Sequence, residues 1–294
     1  IQLPMLGDDA EISMSYSKGK RTMSVSGQCE NRFVELMDSI MDATQKLLNT
    51  DSIYAGKAIK LGSDLVPHFM DLSEIPTIPM YLSAAVKFSL QPIIARIEQT
   101  ELCITKKIPL KYSALMHGDY GTGKTLLAFN LGYKAIQNNW GFIYLTDPTK
   151  SKDMMQIAGQ LAGNGNGVLT FTEDIDLVLK GERNTEMNEL LNGLDGGDNK
   201  NKNIISVWTT NHLSDINRTF MRGKRTGTLI TMGHLDLETA TEFITNYFGD
   251  TLVDDPSEAA AMAYDLKIVP AFMAEILERV SANMVFSKDE TTTT

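Results

Sequence analysis

Polar and apolar positions alternate between residues 11 and 26, with Ile12, Met14 and Tyr16 before Ser17-Lys18-Gly19-Lys20 and Met23 and Val25 after it. Period-two alternation on both sides of a glycine-containing turn predicts a β-hairpin. The period then lengthens: Phe33, Leu36, Met37, Ile40, Met41 and Leu47 share one stripe of a helix over about residues 30–48. Pro76 and Pro79 break the pattern, and a boundary is expected there. Residues 1–78 would then be an N-terminal accessory segment, a hairpin plus helices, with no motif in it.

From residue 79 the order changes. A helix over about residues 81–100 precedes a short apolar strand, Ser113–His117, and a glycine-rich loop. A helix from Thr125 to Gln137 follows, then strands at Phe142–Leu145, Val168–Phe171 and Ile204–Thr209. Strands alternating with helices predict a parallel sheet covered on both faces, over residues 79–234. Asp236–Phe248, Pro256–Leu266 and Pro270–Ala282 read as three helices, each opening on a proline or an acid, and form a small helical lid over 235–288. The threonine-rich stretch 289–294 reads as a disordered tail.

The chain of 294 residues is 43% apolar and 22% charged, enough to bury a sizeable core. Its formal net charge of −10 opposes bulk contact with nucleic acid, so any such contact needs a local basic patch. Cys29 and Cys103 lack metal-ligand spacing and read as reduced, buried thiols of a cytoplasmic protein. No apolar run approaches the roughly 18 residues needed to cross a bilayer.

The glycine-rich loop carries the chemistry. Gly118-Asp119-Tyr120-Gly121-Thr122-Gly123-Lys124-Thr125 satisfies G-x-x-x-x-G-K-[ST] in full, between an expected strand and a helix that Leu126 continues. Glycines let successive N–H groups turn inward onto phosphate oxygens, and the helix adds its positive end. Lys124 can reach the β- and γ-phosphates, and the Thr125 hydroxyl can ligate Mg²⁺. The expected ligand is ATP with Mg²⁺. Such a loop needs an acid on a neighbouring strand to support the cation and often a second to polarise water. Val168–Phe171 ends in Thr172-Glu173-Asp174-Ile175-Asp176, three carboxylates at a strand tip where a cation or hydrogen bonds must compensate them. Asp176 by itself also suits the acidic start of the next helix.

At this point the chain resembles the AAA+ ATPases, more narrowly their protein-remodelling branch. The family's Gly-Thr-Gly-Lys-Thr stands at 121–125, and its hydrophobic-Asp-Glu-hydrophobic-Asp corresponds to Phe171–Asp176. Leu190-Leu191-Asn192-Gly193-Leu194-Asp195-Gly196 is similar to Leu-Leu-Asn-Gln-Leu-Asp-Gly, Ile204–Asn211 to the strand ending in a polar sensor, and Phe220–Arg225 to Leu-Leu-Arg-Pro-Gly-Arg. The motifs run in register over about residues 80–285.

The resemblance implies an α/β P-loop ATPase core with a helical lid, assembled as a homo-oligomeric ring, a hexamer by preference, that couples ATP hydrolysis to remodelling of a protein client. It places Glu173 at the Mg²⁺-supporting aspartate and Asp174 at the water-activating glutamate, so that Thr125, Glu173 and Asp174 surround the metal. That pair is swapped, and the shorter Asp174 implies slow turnover. Asn211 becomes the sensor, and Arg225 the arginine finger that reaches a neighbour's γ-phosphate, with Arg222 a weaker candidate. A second family arginine is here Thr228. Pro270-Ala271 stands where the family opens a lid helix against the nucleotide. The pore-loop stretch Thr146–Met154 lacks the family's aromatic and offers Lys150 and Lys152 instead. Two other functions remain open: a DNA-transaction ATPase of helicase-loader type, and a nucleotide-gated assembly protein with little hydrolysis.

Overall fold

A computed structural model describes residues 10–17, 22–50, 56–162, 167–181, 185–195, 202–221, 226–249 and 255–290. The chain divides into two compact units, residues 1–55 and 56–294. In the first, β1 (Glu11–Ser17) pairs antiparallel with β2 (Thr22–Gln28), Glu11 opposite Gln28 and Ser17 opposite Thr22. The helix α1 (Val34–Thr50) follows a 3-10 turn over Asn31–Phe33, and Met37 and Ala10 form a small buried cluster. The turn expected around Gly19 lies outside the described residues.

The second unit is built on a seven-stranded sheet. In chain order it contains β3 (Ala58–Leu61), β4 (Pro67–Phe69), α2 (Ala84–Glu98), α3 (Thr100–Thr105), β5 (Tyr112–His117) and α4 (Lys124–Gln137). Then come β6 (Trp140–Leu145), α5 (Ser151–Leu161), β7 (Gly167–Thr172), α6 (Asp176–Leu179), α7 (Thr185–Asp195), β8 (Ile204–Thr210) and β9 (Thr228–Thr231). Three helices close it: α8 (Leu237–Phe248), α9 (Ser257–Asp265) and α10 (Pro270–Glu290). The strand order is β4-β3-β6-β7-β8-β5-β9, parallel throughout except for the edge strand β4. Parallel strands need helical crossovers, which cover both faces and make the central strands apolar along their whole length. β7 and β8 accordingly have every residue buried.

Two expectations need correction. The boundary does not fall at residue 78, because β3 pairs with β6 and β4 with β3, which makes residues 58–69 part of the sheet. β3 is only four residues long, too short for its pattern to declare itself, yet Ile59 and Leu61 are buried. Pro76 and Pro79, where the boundary is expected, sit in and after a 3-10 turn, Ile75–Thr77. The last helix also runs past Ala282 to Glu290, so that the stretch expected as a tail begins helical; residues 291–294 lie outside the described residues.

One face of the sheet holds the main core, where Ile93 and Ile97 of α2 and Leu131 and Ala135 of α4 meet Phe142 and Phe171. Trp140 is fully buried, and its indole N–H donates to the Thr100 hydroxyl at 2.9 Å, which satisfies a donor that would otherwise cost about 1–3 kcal/mol. The three C-terminal helices bury a cluster of their own, including Leu235, Phe243, Ala260 and Met273. α8 opens on Asp236, whose carboxylate accepts from the Thr239 N–H at 2.8 Å. Cys29 is half-buried, Cys103 is buried, and both are free thiols. No described helix is long and apolar enough to cross a membrane.

Candidate nucleotide site

In the sheet order β8 stands between β5 and β7. All three are parallel, so their C-terminal ends open on one edge, and the segments that leave them must meet there. β5 runs into the loop Gly118–Thr125, β7 into Glu173 and Asp174, and β8 into Asn211. A cavity of about 630 Å³ lies against all three, a volume suited to a nucleotide.

The loop has the backbone that its glycines predict. Gly121 and Gly123 have φ of +76° and +89°, in the left-handed region that side chains rarely enter. At Gly118 a Cβ would stand 2.0 Å from the Met232 carbonyl oxygen, which requires hydrogen at that position. α4 begins immediately at Lys124, so its unpaired N–H groups face the cavity. Lys124 is 9% exposed, and its ammonium donates to the carbonyls of Gly118 and Asp119 at 2.8 and 2.9 Å. Burial holds its pKa below the ordinary lysine value, opposed by the charges of Asp174, Asp119 and Glu173. Asp119 and Tyr120 are exposed on the loop's outer turn, whereas Thr122 is buried and its hydroxyl donates to the Asp119 carbonyl at 2.9 Å. Leu126 is partly buried in the first turn of α4 and lines the cavity.

The acidic residues separate by role. Glu173 accepts a hydrogen bond from the Thr125 hydroxyl on Oε1 and one from the Tyr144 hydroxyl on Oε2. Asp174 sits in the left-handed region at φ +49° and accepts from the Asn211 amide at 3.1 Å. Its side chain opens to the cavity, yet partial burial raises its pKa, and the charges of Asp176 and Glu173 push the same way against Lys124 and His212. Asp176 faces away into the protein: it is buried and takes the Thr210 hydroxyl at 2.6 Å. It opens α6 and does not join the other two at the cavity. Asn211 Oδ1 is buried and has no hydrogen-bond partner among the described residues, an acceptor left open beside Asp174.

The donor set fits a hard divalent cation. A threonine hydroxyl and a carboxylate in hydrogen-bond contact offer oxygen ligands only. No group of three or more His, Cys, Asp and Glu converges among the described residues, and Mg²⁺ characteristically takes few protein ligands and completes its shell with phosphate and water.

Sequence reasoning missed part of the site. The expected helix at 81–100 starts only at Ala84, and residues 78–82 instead run along the cavity wall. Tyr81 stacks on Phe243 of α8, ring centroids 4.1 Å apart at 15°, so that this wall joins the C-terminal helices. Tyr247 and Ala274 extend the apolar half of the cavity. The only sequence signal was an apolar run between Pro79 and the helix. Tyr144 was missed because an aromatic residue on a buried strand looks like core; burial and Glu173 both raise its pKa, which keeps the phenol a donor. Pro270 and Ala271 do reach the cavity.

Two other expectations fare differently. The stretch Thr146–Met154 is not one loop: Pro148–Lys150 is a 3-10 turn, and α5 starts at Ser151, with Pro148 and Ser151 buried. Lys152 lies on that helix and pairs with Glu189 of α7 at 3.3 Å. Arg222 and Arg225 lie outside the described residues. Thr228 opens β9.

Residues 114–234 match the family described as "ATPase family associated with various cellular activities (AAA)". Among solved structures the chain is similar to one chain of the E. coli MS115-1 HORMA:CdnC:Trip13 complex, with a TM-score of 0.53 at 16% identity, over 66% of this chain and 77% of that one. No curated protein matches the sequence.

Proposed function

We propose, from the premise that residues 114–234 belong to the AAA family of ATPases, that this chain binds ATP with Mg²⁺ at the loop Gly118–Thr125, hydrolyses it slowly, and uses turnover within a homo-oligomeric ring to remodel a protein partner. The observation that supports it most is the meeting of Lys124, Thr125, Glu173, Asp174 and Asn211 on one cavity. Lys124 exchanges its two loop carbonyls for the β- and γ-phosphates, and the N–H groups from Gly121 to Thr125 cradle the same oxygens. Thr125 and Glu173 would hold Mg²⁺, which when bound neutralises charge on the phosphates. Asp174 takes the proton of the attacking water, and its raised pKa makes it a better acceptor near neutrality than an ordinary aspartate. Asn211 fixes that water through its open Oδ1. Arg225 would enter from a neighbouring subunit, an effect worth about 10³–10⁵ in rate for such arginines.

A second reading has its own support. The swapped Glu173–Asp174 pair leaves the base one methylene short, which favours a nucleotide-gated assembly protein with negligible turnover. One experiment separates these readings and the DNA-directed alternative: ATPase rate with and without single-stranded DNA, beside particle size with and without ATP. Rings that hydrolyse ATP indifferently to DNA support the proposal. DNA-stimulated turnover points to a helicase-loader role, and ATP-dependent rings with no turnover point to gated assembly.

A further inference from the structure

We propose that Tyr144 is a positioning residue for the metal-supporting carboxylate, one that adapts the site to a glutamate where the family has an aspartate. The inference rests on the reading of Glu173 given above.

Glu173 carries one more rotatable bond than an aspartate and can swing its carboxylate through a wider volume. A carboxylate that must face a cation needs that freedom removed. Here two hydroxyls remove it, Thr125 on Oε1 and Tyr144 on Oε2, so that both oxygens are pinned. Thr125 can donate its proton to Glu173 and still offer its oxygen lone pairs to a cation. It cannot fix the far oxygen, and Tyr144 does.

The Tyr144 ring is itself held from several sides. It stacks on Phe171 at 5.3 Å and 18°, and the edge of Phe129 meets it at 5.2 Å and 85°. The Lys60 ammonium lies 5.9 Å from its centroid. In the sheet Tyr144 is directly opposite Phe171, two residues before Glu173 on the neighbouring strand. A hydroxyl on so constrained a ring has little freedom of its own to lose when it grips a side chain. This is the arrangement by which outer partners orient ligands around a metal.

The test is a titration of a fluorescent ATP analogue into full-length protein over a Mg²⁺ series and in EDTA. Tyr144→Phe keeps the ring stack and removes only the hydroxyl. It should raise the Mg²⁺ concentration for half-maximal affinity about 10–100-fold, with affinity in EDTA unchanged. In Glu173→Asp the carboxylate no longer reaches Tyr144, so adding Tyr144→Phe there should move the midpoint less than about twofold, the non-additivity expected of a contacting pair. A wild-type midpoint in Tyr144→Phe overturns the inference. So do equal losses with Mg²⁺ and EDTA, the mark of a merely structural role, and so does a full additional cost in the Glu173→Asp background. Wild-type protein indifferent to Mg²⁺ would overturn the reading of Glu173 itself and this inference with it.

Discussion

The backbone N–H of Ala271 donates to the carbonyl of Gly121 at 3.1 Å and ties the first turn of α10 to the loop between β5 and α4. The contact leaves little room: a Cβ built on Gly121 would stand 3.1 Å from the Ala271 Cβ and 3.4 Å from Val269 Cγ2. The loop and the first turn of α10 are therefore in direct contact. Gly121→Ala would place a side chain at φ +76° and push on α10. We expect a loss of about 1–2 kcal/mol in urea unfolding, together with weaker nucleotide binding.

Asp174 holds a left-handed backbone, φ +49°, which aspartate and asparagine enter more readily than other side chains. This offers a backbone reason for aspartate at a position where the resemblance implies a glutamate. Lengthening the side chain by Asp174→Glu should therefore lower stability by about 1 kcal/mol, read by chemical denaturation, whatever it does to turnover. Asp174→Asn should fold normally and abolish hydrolysis.

The raised pKa of Asp174 sets the sign of a pH effect. Unfolded, the group titrates at its ordinary 3.8; folded, it titrates higher, because burial and the charges of Asp176 and Glu173 disfavour its ionised form. Between those two values the folded chain binds the extra proton, so stability falls as pH rises through the window. Without nucleotide, Asp174→Asn should thus melt higher than wild type at neutral pH, and the gap should close below about pH 4. Melting curves across that range check it.

Thr210 is fully buried, and its hydroxyl reaches the buried carboxylate of Asp176 at 2.6 Å. Thr210→Val removes that donor and leaves the carboxylate short of a partner. We expect a loss of about 1–3 kcal/mol in denaturant unfolding, with nucleotide affinity little changed because Asp176 lies off the cavity.

What could be read from the sequence follows from how locally each feature is encoded. The phosphate loop was legible because its backbone demands glycine, lysine and threonine at fixed neighbouring positions. β5, β7 and β8 were legible as apolar runs bounded by turn residues. β3 and β9 were not, being four residues each, and in β9 only Ile230 is buried. Asp176 read as part of one acidic cluster because adjacency in sequence does not reveal direction, and the chain turns at Asp174 and sends Asp176 inward. Tyr144 and residues 78–82 come to the site through pairing across the sheet and packing against α8, relationships that no short window of sequence contains.

The central claim is that the loop Gly118–Thr125 holds a triphosphate through Lys124 and its neighbouring N–H groups. Equilibrium titration of a fluorescent ATP analogue with Mg²⁺ into wild type and Lys124→Ala tests it most directly. The account predicts saturable binding at one site per chain in the wild type and at least about 100-fold weaker binding in a folded Lys124→Ala protein. Equal affinity in the two proteins would contradict it.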